Sequence, residues 1–237
     1  MFKIMGAGIM KTKDDKVKVV QSIDGELLNI ELSEDLLKRN EELAQENRKI
    51  LEEKNILAID ILGAIGSGKT SLIENILIRL KKKRAGVIAG DLTTTIDAER
   101  IKSKGAQTVQ ANTGKECHLD ASLIRKALSK LNLDTIDLLF IENVGNLICP
   151  REFNLGAHKR VVVISVTEGP YTIIKHPYIF QGVDAVVINK VDLADAMDIN
   201  LRGLEADALR VNSHIKIIET NCRTGQGVKK VMDALDI

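Results

Sequence analysis

Residues 63–70 read Gly-Ala-Ile-Gly-Ser-Gly-Lys-Thr. The octet joins an apolar run at 56–62 to a segment of helical periodicity at 71–83. In that setting, a Gly followed by four residues and Gly-Lys-Ser/Thr constrains the fold more than any other feature of the chain. Its glycines let backbone N–H groups curl around phosphates at a helix N-terminus. Lys69 then reaches the β and γ oxygens, and Thr70 offers its hydroxyl to Mg²⁺. Gly63, Gly66, Ser67, Gly68 and Ser71 complete the expected cradle.

A phosphate loop of this kind needs a parallel sheet behind it, and the sequence supplies one. Strand-sized apolar runs at 86–89, 107–110, 138–141, 161–166, 185–188 and 216–218 alternate with helical periods at 97–103, 119–131, 172–181, 199–211 and 227–235. The pattern predicts an α/β P-loop NTPase, with a mostly parallel sheet and helices on both faces. Residues 56–237 are the expected P-loop domain. Aromatic residues are only 3% of the chain, so its core rests on Ile, Leu and Val, which suits buried parallel strands. Before it, Asp24-Gly25 between apolar runs at 17–20 and 28–32 predicts a short hairpin within an N-terminal extension, 1–33. Ser33 reads as the N-cap of an amphipathic helix over 34–55, with Leu36, Leu43, Ile50 and Leu51 on its apolar face. The basic run 81–84 suits a helix C-terminus.

Lys and Arg total 34 against 33 Asp and Glu, a net charge of +1 that leaves no broad footprint for nucleic acid or an anionic membrane. The longest apolar runs are strand-sized, too short to span a bilayer. Three cysteines without a Cys-x-x-Cys pair argue against a disulfide framework and for a reducing, cytoplasmic setting.

Asn189-Lys190-Val191-Asp192 follows the strand at 185–188 and matches the guanine-reading element of GTPases. Asp192 can accept from the ring N–H and exocyclic amine of guanine. Adenine offers neither donor on that edge and would leave the carboxylate unpaired, so GTP and GDP are expected rather than ATP. Thr224-Gly225-Gln226-Gly227 could add backbone contacts to the base, and is as well explained as a plain turn. Asp91 and Glu142, each ending a strand, complete the Mg²⁺ inventory, and Gly145 follows where a backbone N–H can approach the γ-phosphate. Thr94 and Asp97 fall where a switch segment would meet magnesium or the attacking water. Lys69, Asp97 and Glu142 are the candidate catalytic groups, although Asp97 is equally well read as an acid in a first helical turn.

Cys117, His118 and Cys149 are three soft or borderline ligands in loops at strand ends. Three falls short of the four that zinc or square-planar nickel takes, and two chains meeting at this edge would supply four thiolates and two imidazoles. The alternative is that these cysteines are small buried hydrophobes. Cys222 reads as structural, and His158, His176 and His214 show no ligand spacing.

At these residues the chain resembles the HypB family, GTPases that help deliver nickel during nickel-iron hydrogenase maturation. Residues 112–121, 142–150, 90–97 and 189–192 match that family's motifs in order, and the resemblance covers about residues 34–235. It implies a homodimer with Zn²⁺ or Ni²⁺ at Cys117, His118 and Cys149, Mg²⁺–GTP nearby, and a SIMIBI-class P-loop fold. It also implies partnership with a HypA-type metallochaperone and the hydrogenase large-subunit precursor. Two departures stand out. Residues 1–33 lack the Cys and His of nickel-storing family members, and Pro170 and Tyr171 stand where acidic residues usually begin. A urease-accessory GTPase, a P-loop small-molecule kinase and a non-catalytic nucleotide-gated scaffold are the alternatives.

Overall fold

Apolar runs of this length can be buried on both faces, and the computed structural model assembles them in that way. It describes residues 18–21, 30–91, 95–114, 116–148 and 152–237, with 18–21 and 30–34 as backbone alone. Among these residues eight strands form one sheet: β1 (Lys18–Gln21), β2 (Leu57–Leu62), β3 (Ala85–Asp91), β4 (Gln107–Asn112), β5 (Leu138–Glu142), β6 (Lys159–Ser165), β7 (Ala185–Asn189) and β8 (Lys216–Thr220). Their order is β1-β4-β3-β5-β2-β6-β7-β8, and every pairing is parallel. The helices are α1 (Ile30–Glu53), α2 (Lys69–Arg79), α3 (Ile96–Lys102), α4 (Ala121–Leu128), α5 (Thr172–Lys175), α6 (Leu201–Val211) and α7 (Val228–Ala234).

Alternation along the strands sends side chains to two faces. Ile59 and Ile61 of β2 pack with Ile73 of α2, Ile101 of α3 and Val231 of α7. Ile88 and Ile141 pack with Leu51 of α1 and Ile124 of α4 in a second core. A third core joins Val162 and Ile164 of β6 to Phe180 and to Leu204 of α6. Burying each such Leu or Ile contributes ~1.5–3 kcal/mol. The expected parallel α/β architecture is present.

The turn of the expected N-terminal hairpin, Asp24-Gly25, lies outside the described residues. β1 pairs in parallel with β4, Lys18 opposite Val109, while residues 30–32 of the expected second arm, 28–32, are helical. The free edge of β4 gives the first arm a long-range partner, and residues 30–33 form the first turn of the helix that carries Leu36. The helix therefore starts at Ile30 rather than being capped at Ser33. Its buried stripe also differs from the expected one. Leu36 is exposed, whereas Asn40, Ala44, Asn47 and Leu51 face inward. Both asparagines are satisfied: the Ala121 N–H donates to Asn40 Oδ1 at 2.8 Å, and Asn47 Nδ2 donates to the Ala121 carbonyl at 2.8 Å. α1 thus grips the first residue of α4. Two further boundaries move. α2 ends at Arg79, leaving the basic run 81–84 beyond the helix, and Pro177 divides the helix expected at 172–181 into α5 and a 3₁₀ turn.

In this order β5 inserts between β3 and β2, and β6 lies on the far side of β2, so connections leave in opposite directions at the centre of the sheet. Open α/β sheets bind ligands at the carboxyl ends of strands at such a point.

Candidate nucleotide and metal site

The phosphate loop occupies that position. It leaves β2 at Gly63 and enters α2 at Lys69, with Gly68 as N-cap at φ 107°. Two glycines are dictated by close approach as well as by angle. A Cβ on Gly63 would lie 2.2 Å from the Val163 carbonyl oxygen, and one on Gly68 would lie 2.1 Å from Asn189 Nδ2. Ser67 Oγ is buried without a hydrogen-bond partner, an orphaned polar atom of the kind a phosphate oxygen satisfies. Lys69 Nζ donates to the carbonyls of Gly63 and Ala64, each at 3.1 Å, and burial lowers its pKa.

A cleft of ≈ 740 Å³ opens over the loop. Gly66, Gly68, Lys69, Thr70 and Ser71 form its floor, and Gly63 lies beneath. Its walls bring in Asp91, Asp97, Glu142 and Gly145 from one side and Asn189, Lys190 and Asp192 from the other. Thr70 Oγ1 donates to Glu142 Oε1 at 2.6 Å, while Glu142 Oε2 is buried and unpartnered. Burial raises the Glu142 carboxyl to about 7. A hydroxyl and a buried carboxylate with a spare oxygen are a donor set suited to a hard divalent cation. Asp91, at the end of β3, is half-buried beside them. Thr94 lies outside the described residues.

Asp97 is placed in the first turn of α3 and accepts from Arg100 Nη1 at 3.0 Å. Arg100 Nη2 donates to Glu74 at 2.7 Å, so one arginine ties α3 to α2. Sequence reasoning missed Arg100. Its only signal was a cation three positions after Asp97 on one helix face.

The Asn189–Asp192 element is fastened to the phosphate loop. Asn189 Nδ2 donates to the Ser67 carbonyl and Lys190 Nζ to the Gly66 carbonyl, both at 2.8 Å. Asn189 Oδ1 accepts from Thr220 Oγ1 at 3.1 Å and from the Cys222 N–H at 3.0 Å. Asp192 is exposed at the cleft rim, open to a base. Residues Asn221, Cys222 and Arg223 line the cleft, in place of the Thr224–Gly227 stretch. Gly225 and Gly227, at φ 82° and 78°, build the turn behind it: a Cβ there would strike Arg79 Nη2 at 2.0 Å or the Glu219 carbonyl oxygen at 2.1 Å.

Cys117 and His118 follow β4 on the same sheet edge. Cys117 Sγ lies 3.8 Å from His118 Nδ1, and the imidazole stacks on Phe153 with centroids 3.7 Å apart. Burial lowers the His118 pKa, which favours the neutral form of the ring. Cys149 lies outside the described residues, and among the described residues no group of three or more His, Cys, Asp or Glu is poised around one point. Cys222 is buried in the loop after β8, its thiol pKa raised by burial. His158 Nδ1 accepts from the Ala58 N–H at 3.0 Å, a structural role.

The parallel sheet and its phosphate loop define a P-loop nucleotide-binding protein. A family model described as CobW/HypB/UreG, nucleotide-binding domain, matches residues 57–219. The probable hydrogenase maturation factor HypB of Methanocaldococcus jannaschii is 51% identical over 87% of this chain and 94% of its own. Among solved structures, hydrogenase maturation factor HypB from Archaeoglobus fulgidus superposes with a TM-score of 0.79 at 46% identity, covering 84% of this chain and 98% of that one. HypB from Helicobacter pylori in complex with nickel gives a TM-score of 0.80 at 33% identity, covering 83% and 93%. The chain belongs to the CobW/HypB/UreG family, among its HypB hydrogenase maturation factors.

Proposed function

We propose that this chain hydrolyses GTP to gate the delivery of nickel during maturation of a nickel-iron hydrogenase. The observation that carries the reading is one cleft in which the phosphate loop is hydrogen-bonded to Asn189 and Lys190, with Cys117 and His118 on the adjoining strand end. Asp192 selects guanine. Lys69 leaves the Gly63 and Ala64 carbonyls for the β and γ oxygens, and the hydroxyl of Thr70 and the carboxylates of Glu142 and Asp91 hold Mg²⁺. When bound, that ion neutralises charge developing on the transferred phosphoryl group. Asp97 orients the attacking water from α3, and the N–H of Gly145 faces the γ-phosphate.

Nickel is the cargo, and zinc is the competing metal at the same ligands. The thiolates of Cys117 and Cys149 and the neutral imidazole of His118 receive it, and two chains meeting at this edge complete the coordination as a homodimer. Residues 56–237 form the nucleotide-binding unit, with α1 as an appendage clamped to α4. No described helix is long and apolar enough to cross a membrane, and three cysteines without a Cys-x-x-Cys pair suit a cytoplasmic factor. A HypA-type metallochaperone and a hydrogenase large-subunit precursor are the partners the family reading supplies. The nickel carried by the Helicobacter pylori relative, 33% identical, supports the cargo assignment. Competition binding with a fluorescent guanine nucleotide tests the base assignment: GTP is expected to displace it far better than ATP, and equal displacement would end the reading.

A further inference from the structure

The strand end that would meet a γ-phosphate is also wired to the loop carrying Cys117 and His118. Glu142 is the last residue of β5, and the Asn143 N–H continues the ladder by donating to the Ile61 carbonyl at 3.0 Å. Beyond it the segment touches the phosphate loop: Gly145 is so close that a Cβ would lie 2.3 Å from Ile65 Cγ1, and Asn146 forms an isolated antiparallel bridge with Gly63.

Asn143 itself is 1% exposed and turns its side chain the other way. Its Oδ1 accepts from the Leu119 N–H at 3.2 Å and from the Val144 N–H at 3.0 Å. Its Nδ2 donates to Asp60 Oδ1 at 3.3 Å. Asp60 Oδ2 accepts from Arg160 Nε at 3.1 Å, and Arg160 Nη2 donates to the Phe153 carbonyl at 3.4 Å. Phe153 is the ring stacked on His118. On the near side, Asn146 Nδ2 donates to the Cys117 carbonyl at 3.4 Å. His118 is therefore bracketed by contacts to residues 117 and 119 from one short segment, and the chain from Asn143 through Asp60 and Arg160 reaches the backbone of the ring beneath it.

Leu119 is fully buried, its side chain seated over Gly90 beside the Glu142 carbonyl. Its N–H has no water to turn to if Asn143 moves, so it follows Asn143 or is left unpaired. A single buried amide with both ends engaged transmits displacement better than a solvated contact would.

We propose that Asn143 is the positioning residue that couples the two sites, carrying a nucleotide-dependent shift of residues 142–145 into the backbone that holds Cys117 and His118. The inference rests on the function proposed above and adds to it the residue through which the coupling runs.

The test uses the full chain with Mg²⁺ and either GDP or the non-hydrolysable analogue GppNHp, NiCl₂ as the metal, and Asn143→Ala beside the unaltered protein. Ni²⁺ affinity of the unaltered protein is expected to differ at least about fivefold between the two nucleotides, the low end for coupled sites. In Asn143→Ala that ratio should collapse toward one while both nucleotides still bind. If the ratio survives in the variant, the proposal is overturned and the coupled-site reading stands. If the unaltered protein shows no ratio, the coupled-site reading fails and the proposal with it. Amide hydrogen exchange of residues 117–121, measured without nickel in the unaltered protein, decides the matter even if the variant does not fold. A change in protection between GDP and GppNHp at 117–121 supports the relay, and identical protection there refutes it.

Discussion

Replacing Glu142 with Gln should stabilise the nucleotide-free protein at alkaline pH while removing the proposed Mg²⁺-dependent GTP hydrolysis. Burial holds this carboxyl at about 7 against an ordinary 4.5. The native state thus binds the proton more tightly than the unfolded chain does. A raised pKa of this kind contributes stability that is fully present below about 4.5 and is lost as pH rises through about 7. The gap of 7 − 4.5 corresponds to about 3 kcal/mol at ~1.4 kcal/mol per pH unit. Gln keeps an acceptor for the Thr70 hydroxyl and cannot ionise. Its stability relative to Glu should climb between pH 4.5 and 7 and level off near 3 kcal/mol above pH 8, or roughly 6–12 °C in Tm for a chain of this size. Urea denaturation of both proteins in EDTA, at steps from pH 4.5 to 8.5, measures the difference directly. Parallel stability curves across that window would refute the claim that burial penalises the ionised Glu142 carboxylate. Mg²⁺ has the opposite effect, since it binds the ionised form: Mg²⁺–nucleotide affinity should fall on acidification below about 7.

Asp192→Asn should weaken GTP roughly 10- to 100-fold, the worth of a hydrogen bond to a charged group, and favour xanthine nucleotides, as competition binding would show. Gly68→Ala forces a Cβ to within 2.1 Å of Asn189 Nδ2 at φ 107°, so nucleotide titration should find affinity lowered roughly 5- to 150-fold by ~1–3 kcal/mol of backbone strain. Cys117→Ala should lose most Ni²⁺ affinity and Cys222→Ala little, by calorimetric titration. In the unaltered protein that affinity should fall with pH, because thiolate ligation releases protons.

The parts of this fold legible in the sequence are those written in local spacing. Gly63 to Thr70 announces its own turn, and the β6 and β7 runs announce burial on both faces. What was misread depends on partners distant in the chain. Residues 17–20 look like a hairpin arm beside Asp24-Gly25, and only the free edge of β4 makes the neighbouring strand Lys18–Gln21 parallel. Asn40 and Asn47 look like the solvated face of α1 until the first residue of α4 is placed against them. The cleft residues Asn189 and Asp192 were evident because the Asn-Lys-x-Asp pattern is written in four consecutive positions after a strand. Arg100, Asn143 and the Asn221–Arg223 loop were not, since each acts through contacts with Glu74, Leu119 or Asn189 that no periodicity encodes. Asp60 is the plainest case: a carboxylate within a buried strand, made tolerable by Arg160 and Asn143.

The central claim is that nucleotide and nickel are felt by one another. Its most direct measurement is Ni²⁺ affinity of the full chain in the GDP state and in the GTP-analogue state, paired with the affinity of each nucleotide with and without Ni²⁺. Linkage requires the two ratios to be equal, and a coupling of ~1–3 kcal/mol, or roughly 5- to 150-fold, is expected. Nickel affinity that is the same in both nucleotide states would contradict the account, leaving a nucleotide site and a metal site that are only neighbours.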